Sequence, residues 1–207
     1  MNDQQYDELL HIQTTEEQKN FQLFANYYPY EPTPYTVLDL CFDQIELEKK
    51  DCFVDFGCGK GRVVFYVNYR YHIETLGIEM NKSYVQDALQ NKAQYSKEHH
   101  LVAAPVNFLH VKAEQYKIKP TDNIFFFFNP FSIRIFRHII RHIWKSQQLY
   151  PRKIYVILYY PSFEYIQFLR DETQFKMIKD ILVPNTSVYN MHERVLIFKS
   201  KEKPSME

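Results

Sequence analysis

Apolar residues fall into short, nearly unbroken runs separated by longer stretches where they recur at helical spacing. The runs cover residues 52–56, 75–79, 106–111, 124–128 and 154–159, with weaker ones at 176–182 and 194–199. An apolar run of this length without polar alternation suits a strand buried on both faces. Between the runs, residues 61–71, 83–99, 133–147 and 163–170 read as amphipathic helices. This alternation predicts an α/β fold: a doubly wound, mostly parallel, seven-stranded sheet with helices on both faces.

The first fifty residues follow another pattern. Residues 4–27 carry mixed helical spacing, with Thr14 or Thr15 as an N-cap ahead of Glu17. The segment "YYPYEPTPY" then breaks any helix with Pro29, Pro32 and Pro34. Beyond it, Val37, Leu38, Cys41, Phe42 and Ile45 line one side of a further helix. Three parts are expected: a helical extension over 1–50, the sheet domain over 51–200, and a frayed tail over 201–207.

Composition narrows the classes. Hydrophobic residues make up 45% of the chain, enough for a packed core. Twenty-five basic residues balance 25 acidic ones, so no global field selects nucleic acid or excludes it. Cys41, Cys52 and Cys58 form no C-x-x-C pair, which reads as reduced thiols. The N-terminus lacks the apolar stretch of a signal peptide, and the longest apolar run is far too short to span a bilayer. A soluble cytoplasmic protein without membrane contact or bound metal is expected.

Chemistry concentrates where the glycines are. The chain has only four, and Gly57, Gly59 and Gly61 lie in "VDFGCGKGR" at the end of the first strand. A glycine turn between strand and helix accommodates positive φ or close approach of a ligand, and the helix start offers free N–H groups. A dinucleotide fingerprint spaces its glycines G-x-G-x-x-G. Here the spacing is two and two, Arg62 stands where the third glycine belongs, and Asp55 precedes the first by two.

That arrangement resembles motif I of the class I S-adenosylmethionine-dependent methyltransferases, and three later segments extend the likeness over roughly residues 30–160. "TLGIEM" ends the second strand at Glu79 and Met80. "VKAEQY" places Ala113 and Glu114 after the third, and "FFFFNPF" closes the fourth at Asn129, Pro130 and Phe131. The resemblance implies that the loop around Gly57, Cys58, Gly59 and Gly61 wraps the methionine part of the cofactor. It implies that Glu79 accepts from the ribose hydroxyls and that Ala113 and Glu114 border the adenine. The N-terminal helices would cover the cofactor.

"NPF" is similar to the N-P-P-[YF] motif of enzymes that methylate amide or exocyclic amino nitrogens. There the Asn oxygen and the next carbonyl accept from the target NH2, and the aromatic residue stacks on it. This chain lacks the second proline, and a Pro-ended strand leading into a Ser132-capped helix with Phe131 in the core fits the residues equally. "YEPTP" resembles a segment preceding motif I in small archaeal and mitochondrial protein-lysine methyltransferases, which implies polar contacts from Tyr30 and Thr33 to the cofactor's methionine end. A rigid loop before a capped helix is the alternative. "YYPS" at 159–162 adds a substrate-side wall or merely a strand exit.

In the helix after Asn129, Arg134, Arg137, His138, Arg141, His142 and Lys145 form a basic stripe opposite Ile133, Phe136, Ile140, Ile143 and Trp144. It is either a solvated face or a contact for nucleic acid or an acidic protein. The His138/His142 pair lacks a third metal ligand.

The expected function is methyl transfer from S-adenosylmethionine, leaving S-adenosylhomocysteine, to an amine or amide nitrogen, protein lysine first. A nucleic-acid base or small molecule is the alternative acceptor. A non-catalytic cofactor- or partner-binding domain and a dinucleotide oxidoreductase are the readings from other classes.

Overall fold

A computed structural model describes residues 1–15, 26–28, 30–99, 105–184, 190 and 192–201. The strands are β1 (Cys52–Phe56), β2 (Glu74–Glu79), β3 (Val106–His110), β4 (Asp122–Phe128), β5 (Tyr155–Tyr159), β6 (Phe175–Leu182) and β7 (Arg194–Ser200). The helices are α1 (Asp3–Leu10), α2 (Tyr35–Phe42), α3 (Arg62–Tyr71), α4 (Lys82–Glu98), α5 (Ile133–Leu149) and α6 (Phe163–Glu172). The seven strands form one sheet in the order β3-β2-β1-β4-β5-β7-β6. β1 pairs in parallel with both β2 and β4, and only β7 runs antiparallel to its neighbours β5 and β6. This is the doubly wound, mostly parallel sheet that the apolar runs predict.

Strand alternation divides the core into two layers. Phe53, Ile124 and Phe126 point to the layer covered by α1, α2 and α3. Val54, Phe56, Phe125 and Phe127 point to the layer under α5 and α6. Phe125 to Phe127 are each at most 1% exposed, so both faces of β4 are sealed. Burying each such ring contributes on the order of 2–3 kcal/mol. The strand order reverses between β1 and β4, and a crevice opens there beyond the strands' carboxyl ends.

The N-terminal expectation needs correction. α1 starts from an Asn2 capping box with Gln5 and stops at Leu10, where His11 turns left-handed (φ 52°). Thr14 is fully buried, and its N–H and hydroxyl donate to Asp7 at 2.7 and 2.9 Å, which folds residues 11–14 back along α1. The helix expected after a Thr14 or Thr15 cap falls on residues 16–25, outside the described residues. Glu17, Pro29 and residues 202–207 lie outside the described residues. α2 begins on Pro34 without a side-chain cap, and Ile45 lies beyond its end.

Two details of α5 also differ. Ser132 occupies the N-cap position but makes no side-chain capping bond. Trp144 is 43% exposed, because Ile139, Ile140, Ile143 and Ser146 fill the buried stripe and Trp144 falls about 100° past Ile143. The histidine rings of His138 and His142 lie 4.1 Å apart on the exposed face, with no metal-holding group of His, Cys, Asp or Glu among the described residues. No helix among them is long and apolar enough to cross a membrane.

Candidate active site

The turn between β1 and α3 is tied to the sheet by the N–H groups of Gly57 and Cys58, which both donate to the Ile78 carbonyl. A Cβ on Gly61 (φ +93°) would stand 2.6 Å from the Phe108 ring, and one on Gly59 (φ +53°) 2.1 Å from the Tyr30 ring. Gly57 similarly lies under Pro130, and Gly77 against Cys58 and Phe108. The glycines thus admit side chains of this chain itself. Gly57, Gly59 and Gly61 all have the positive φ that such a turn was expected to need.

At the reversal point lies a cavity of about 480 Å³, within the range of small-molecule sites. β1 and its turn contribute Asp55, Gly57 and Cys58, while β2 contributes Glu79 and Met80. Ala113 closes one side, the exit of β4 adds Asn129, Pro130 and Phe131, and the N-terminal segment adds Tyr30 and Thr33. Three other expected residues stand outside the wall. Tyr30 covers Gly59 and Phe108 covers Gly61. Glu114 accepts from the Tyr27 hydroxyl at 2.6 Å, and Tyr27 takes its place in the wall.

Two carboxyl groups share this enclosure. Glu79, 9% exposed, accepts from the N–H of Gly59 at 3.0 Å and of Asn81 at 2.7 Å. Burial raises its pKa, and those amides pull it back. Asp55 is raised well above the carboxylate range by burial and then by the Glu79 charge. Burial, reinforced by Asp55, also pushes the Cys58 thiol up. Such a pocket favours a ligand that brings positive charge to the acids.

The exit of β4 is strained and under-bonded. Asn129 adopts φ +38°, and its buried Oδ1 has no hydrogen-bond partner. The Pro130 carbonyl already accepts from the Tyr28 N–H at 3.1 Å. Phe131, 1% exposed, packs edge-on against Tyr27 and Phe127, so its ring is a core member rather than an open stacking surface. Tyr160, also left-handed (φ +50°), lines the cavity with Tyr28 and Glu31. Tyr159 turns into the core and donates to Glu193.

Sequence reasoning missed Arg62. This side chain is 2% exposed at the first turn of α3. Its Nε donates to Thr14 Oγ1 at 2.6 Å and its Nη1 to Asp3 Oδ2 at 2.5 Å and the Thr33 carbonyl at 3.2 Å. The guanidinium also lies 4.7 Å over the Tyr35 ring, whose hydroxyl donates to Asp7. Arg62 thereby fastens the N-terminal extension to the glycine turn. The signal was an arginine heading the apolar stretch "VVFYV", with Asp3 and Asp7 spaced i, i+4 near the start.

Three solved structures, all S-adenosylmethionine-dependent or methyltransferase proteins by description, share the fold. The Salinibacter ruber RNA methyltransferase with bound S-adenosylhomocysteine aligns at TM-score 0.54 and 14% identity, over 84% of this chain and 97% of that one. Magnesium protoporphyrin IX methyltransferase from Synechocystis, with S-adenosylmethionine bound, gives 0.55 and 15%, over 81% and 77%. An S-adenosylmethionine-dependent methyltransferase from Methanosarcina mazei gives 0.58 and 12%, over 76% and 95%. No curated protein sequence matches the chain. The family described as "Histone methylation protein DOT1" matches residues 6–118, more than half of the 207-residue chain. That span takes in the glycine turn, Glu79 and the Ala113 turn, and it removes the dinucleotide alternative. The chain belongs to the DOT1 histone methylation protein family and is an S-adenosylmethionine-dependent methyltransferase.

Proposed function

We propose that this enzyme methylates an amine nitrogen, with a protein lysine side chain as acceptor. The observation that carries the proposal is the buried, unpartnered Oδ1 of the left-handed Asn129 in the cavity wall. A buried acceptor without a donor costs about 1–3 kcal/mol, and an incoming N–H supplies the missing bond. Once the ammonium has given a proton to solvent, accepting a hydrogen from the neutral amine orients the nitrogen and leaves its lone pair for attack on the methyl, with the sulfur leaving as the thioether. Tyr28, Tyr160 and Glu31 give the same wall aromatic faces and a negative charge, which suit an approaching alkylammonium. The family's description, which concerns methylation of a protein, supports this acceptor class.

The cavity's chemistry fits S-adenosylmethionine, which when bound supplies an electrophilic methyl on a sulfonium. Glu79, and Asp55 on losing its proton as the ligand binds, offer the negative charge that a cationic ligand requires, and Glu79 lines the cavity as a ribose acceptor. Tyr27 replaces Glu114 beside Ala113 as the adenine wall, since Glu114 is taken by the Tyr27 hydroxyl. Tyr30 contributes its ring rather than its hydroxyl, which donates to the Thr14 carbonyl at 3.0 Å. Tyr27, Tyr28 and residues 30–33 of the extension supply one side of the wall, which supports its role as a cover over the cofactor.

A second reading rests on the basic face of α5. Arg134, His138, Arg141, His142 and Lys145 are all exposed there, which favours a nucleic-acid acceptor. Transfer of tritiated methyl groups into lysate fractions separated as protein, RNA and small molecules distinguishes the two. Label in protein, lost with Asn129→Ala, supports the proposal. Label confined to RNA overturns it in favour of the second reading.

A further inference from the structure

We infer that Arg62 holds the carboxylate at the methionine end of the cofactor and so couples cofactor binding to the docking of α1. The inference rests on the cavity being the S-adenosylmethionine pocket. Among the described residues lining that cavity, Arg62 is the one basic side chain, in a wall that also includes Asp55, Glu79 and Glu31. A methionine end is zwitterionic. The acids suit its ammonium and sulfonium, and its carboxylate needs a cation.

The guanidinium has a donor to spare. Nε is occupied by Thr14, and Nη1 by Asp3 and the Thr33 carbonyl, while Nη2 is buried with no partner. Arginine stays charged in proteins and presents its five donors as a rigid fork, so the three held ones fix the direction of the two on Nη2. Its position in the first turn of α3 adds the helix's unpaired N–H groups and dipole to the attraction for an anion. The same side chain grips Asp3 of α1 and the returning residue Thr14. A carboxylate on Nη2 therefore stiffens the arginine that α1 and Thr14 are built upon, and order at one end favours order at the other.

The test uses the full chain and two ligands, S-adenosylhomocysteine and its decarboxylated counterpart, which keeps the amine and the adenosine. Calorimetry on the natural protein should show S-adenosylhomocysteine binding roughly 10- to 100-fold more tightly, the worth of a charge-assisted hydrogen bond to a carboxylate. Arg62→Met should bind both ligands alike, at about the affinity that the natural protein has for the decarboxylated one. An undiminished preference in Arg62→Met, or no preference in the natural protein, overturns the inference while leaving the pocket in place. No binding of either ligand to the natural protein overturns the pocket reading as well. Hydrogen exchange on the natural protein supplies a readout that needs no variant. S-adenosylhomocysteine should slow exchange of the α1 amides several-fold more than the decarboxylated ligand does, and equal protection contradicts the coupling.

Discussion

Gly61→Ala separates two accounts of why the chain concentrates its glycines at one turn. Gly61 has φ +93°, and a Cβ there would lie 2.6 Å from Phe108 Cζ and 2.9 Å from Phe65 Cε2. An L-residue in the left-handed region costs roughly 1–2 kcal/mol. Overpacking against two rings adds about 1–3 kcal/mol. The expected loss is thus about 2–5 kcal/mol in the ligand-free protein, a large share of a typical domain's 5–15 kcal/mol. For a chain of this size that corresponds to a fall in Tm of roughly 4–20 °C. Urea unfolding followed by circular dichroism measures it on Gly61→Ala, Phe108→Leu and the double variant. The double variant should recover the part due to Phe108 but not the φ part, giving a favourable coupling of about 1–2 kcal/mol. Stability within about 0.5 kcal/mol of the natural protein, together with weakened cofactor binding, would refute packing as the cause and return the glycine to the ligand.

Asn129→Ala should bind S-adenosylhomocysteine within a few-fold of the natural protein while turnover falls by about 10²-fold, as on removing one positioning bond; equal turnover contradicts its role. Burial, and secondarily Glu79, raise the Asp55 pKa, so the folded chain keeps a proton that an unfolded one releases near about pH 4. Its contribution to stability is therefore present at acid pH and is lost as pH rises through the folded value. Cofactor binding favours the ionised form, so affinity should rise with pH across that window and release a proton. Titration in buffers of different ionisation enthalpy checks this, and absence of proton release in the natural protein, or the same release in Asp55→Asn, counts against it. Tyr27→Phe removes the 2.6 Å bond to Glu114 and should cost about 1 kcal/mol in thermal unfolding; no cost places no weight on that bond.

The parallel sheet was legible because apolar runs such as 124–128 leave no solvated strand face, and the runs at 52–56, 75–79, 124–128 and 154–159 are each followed by a helix with one apolar side. Glu79 and Asn129 were legible because each ends a strand, where a parallel sheet exposes its side chains to the crevice. Local pattern could not show Arg62 meeting Asp3, since the contact joins residues 59 positions apart. Nor could it show that the chain's own rings crowd the glycines, because Phe108 approaches Gly61 and Gly77 only once β2 and β3 are paired. Glu114 stands outside the cavity wall for a similar reason: the Tyr27 hydroxyl that donates to it comes from 87 residues earlier. Trp144 shows the limit of helical spacing, where a residue at the margin of an apolar stripe is sorted by what its neighbours already fill.

The cavity between Asp55, Glu79 and Asn129 is the proposed cofactor pocket. Calorimetric titration of S-adenosylhomocysteine onto the natural protein and Glu79→Ala tests it most directly. A single site in the natural protein, weakened about 10- to 100-fold in Glu79→Ala by loss of its charged acceptor, is the predicted result. Absence of binding, or equal affinity in the two proteins, would contradict it.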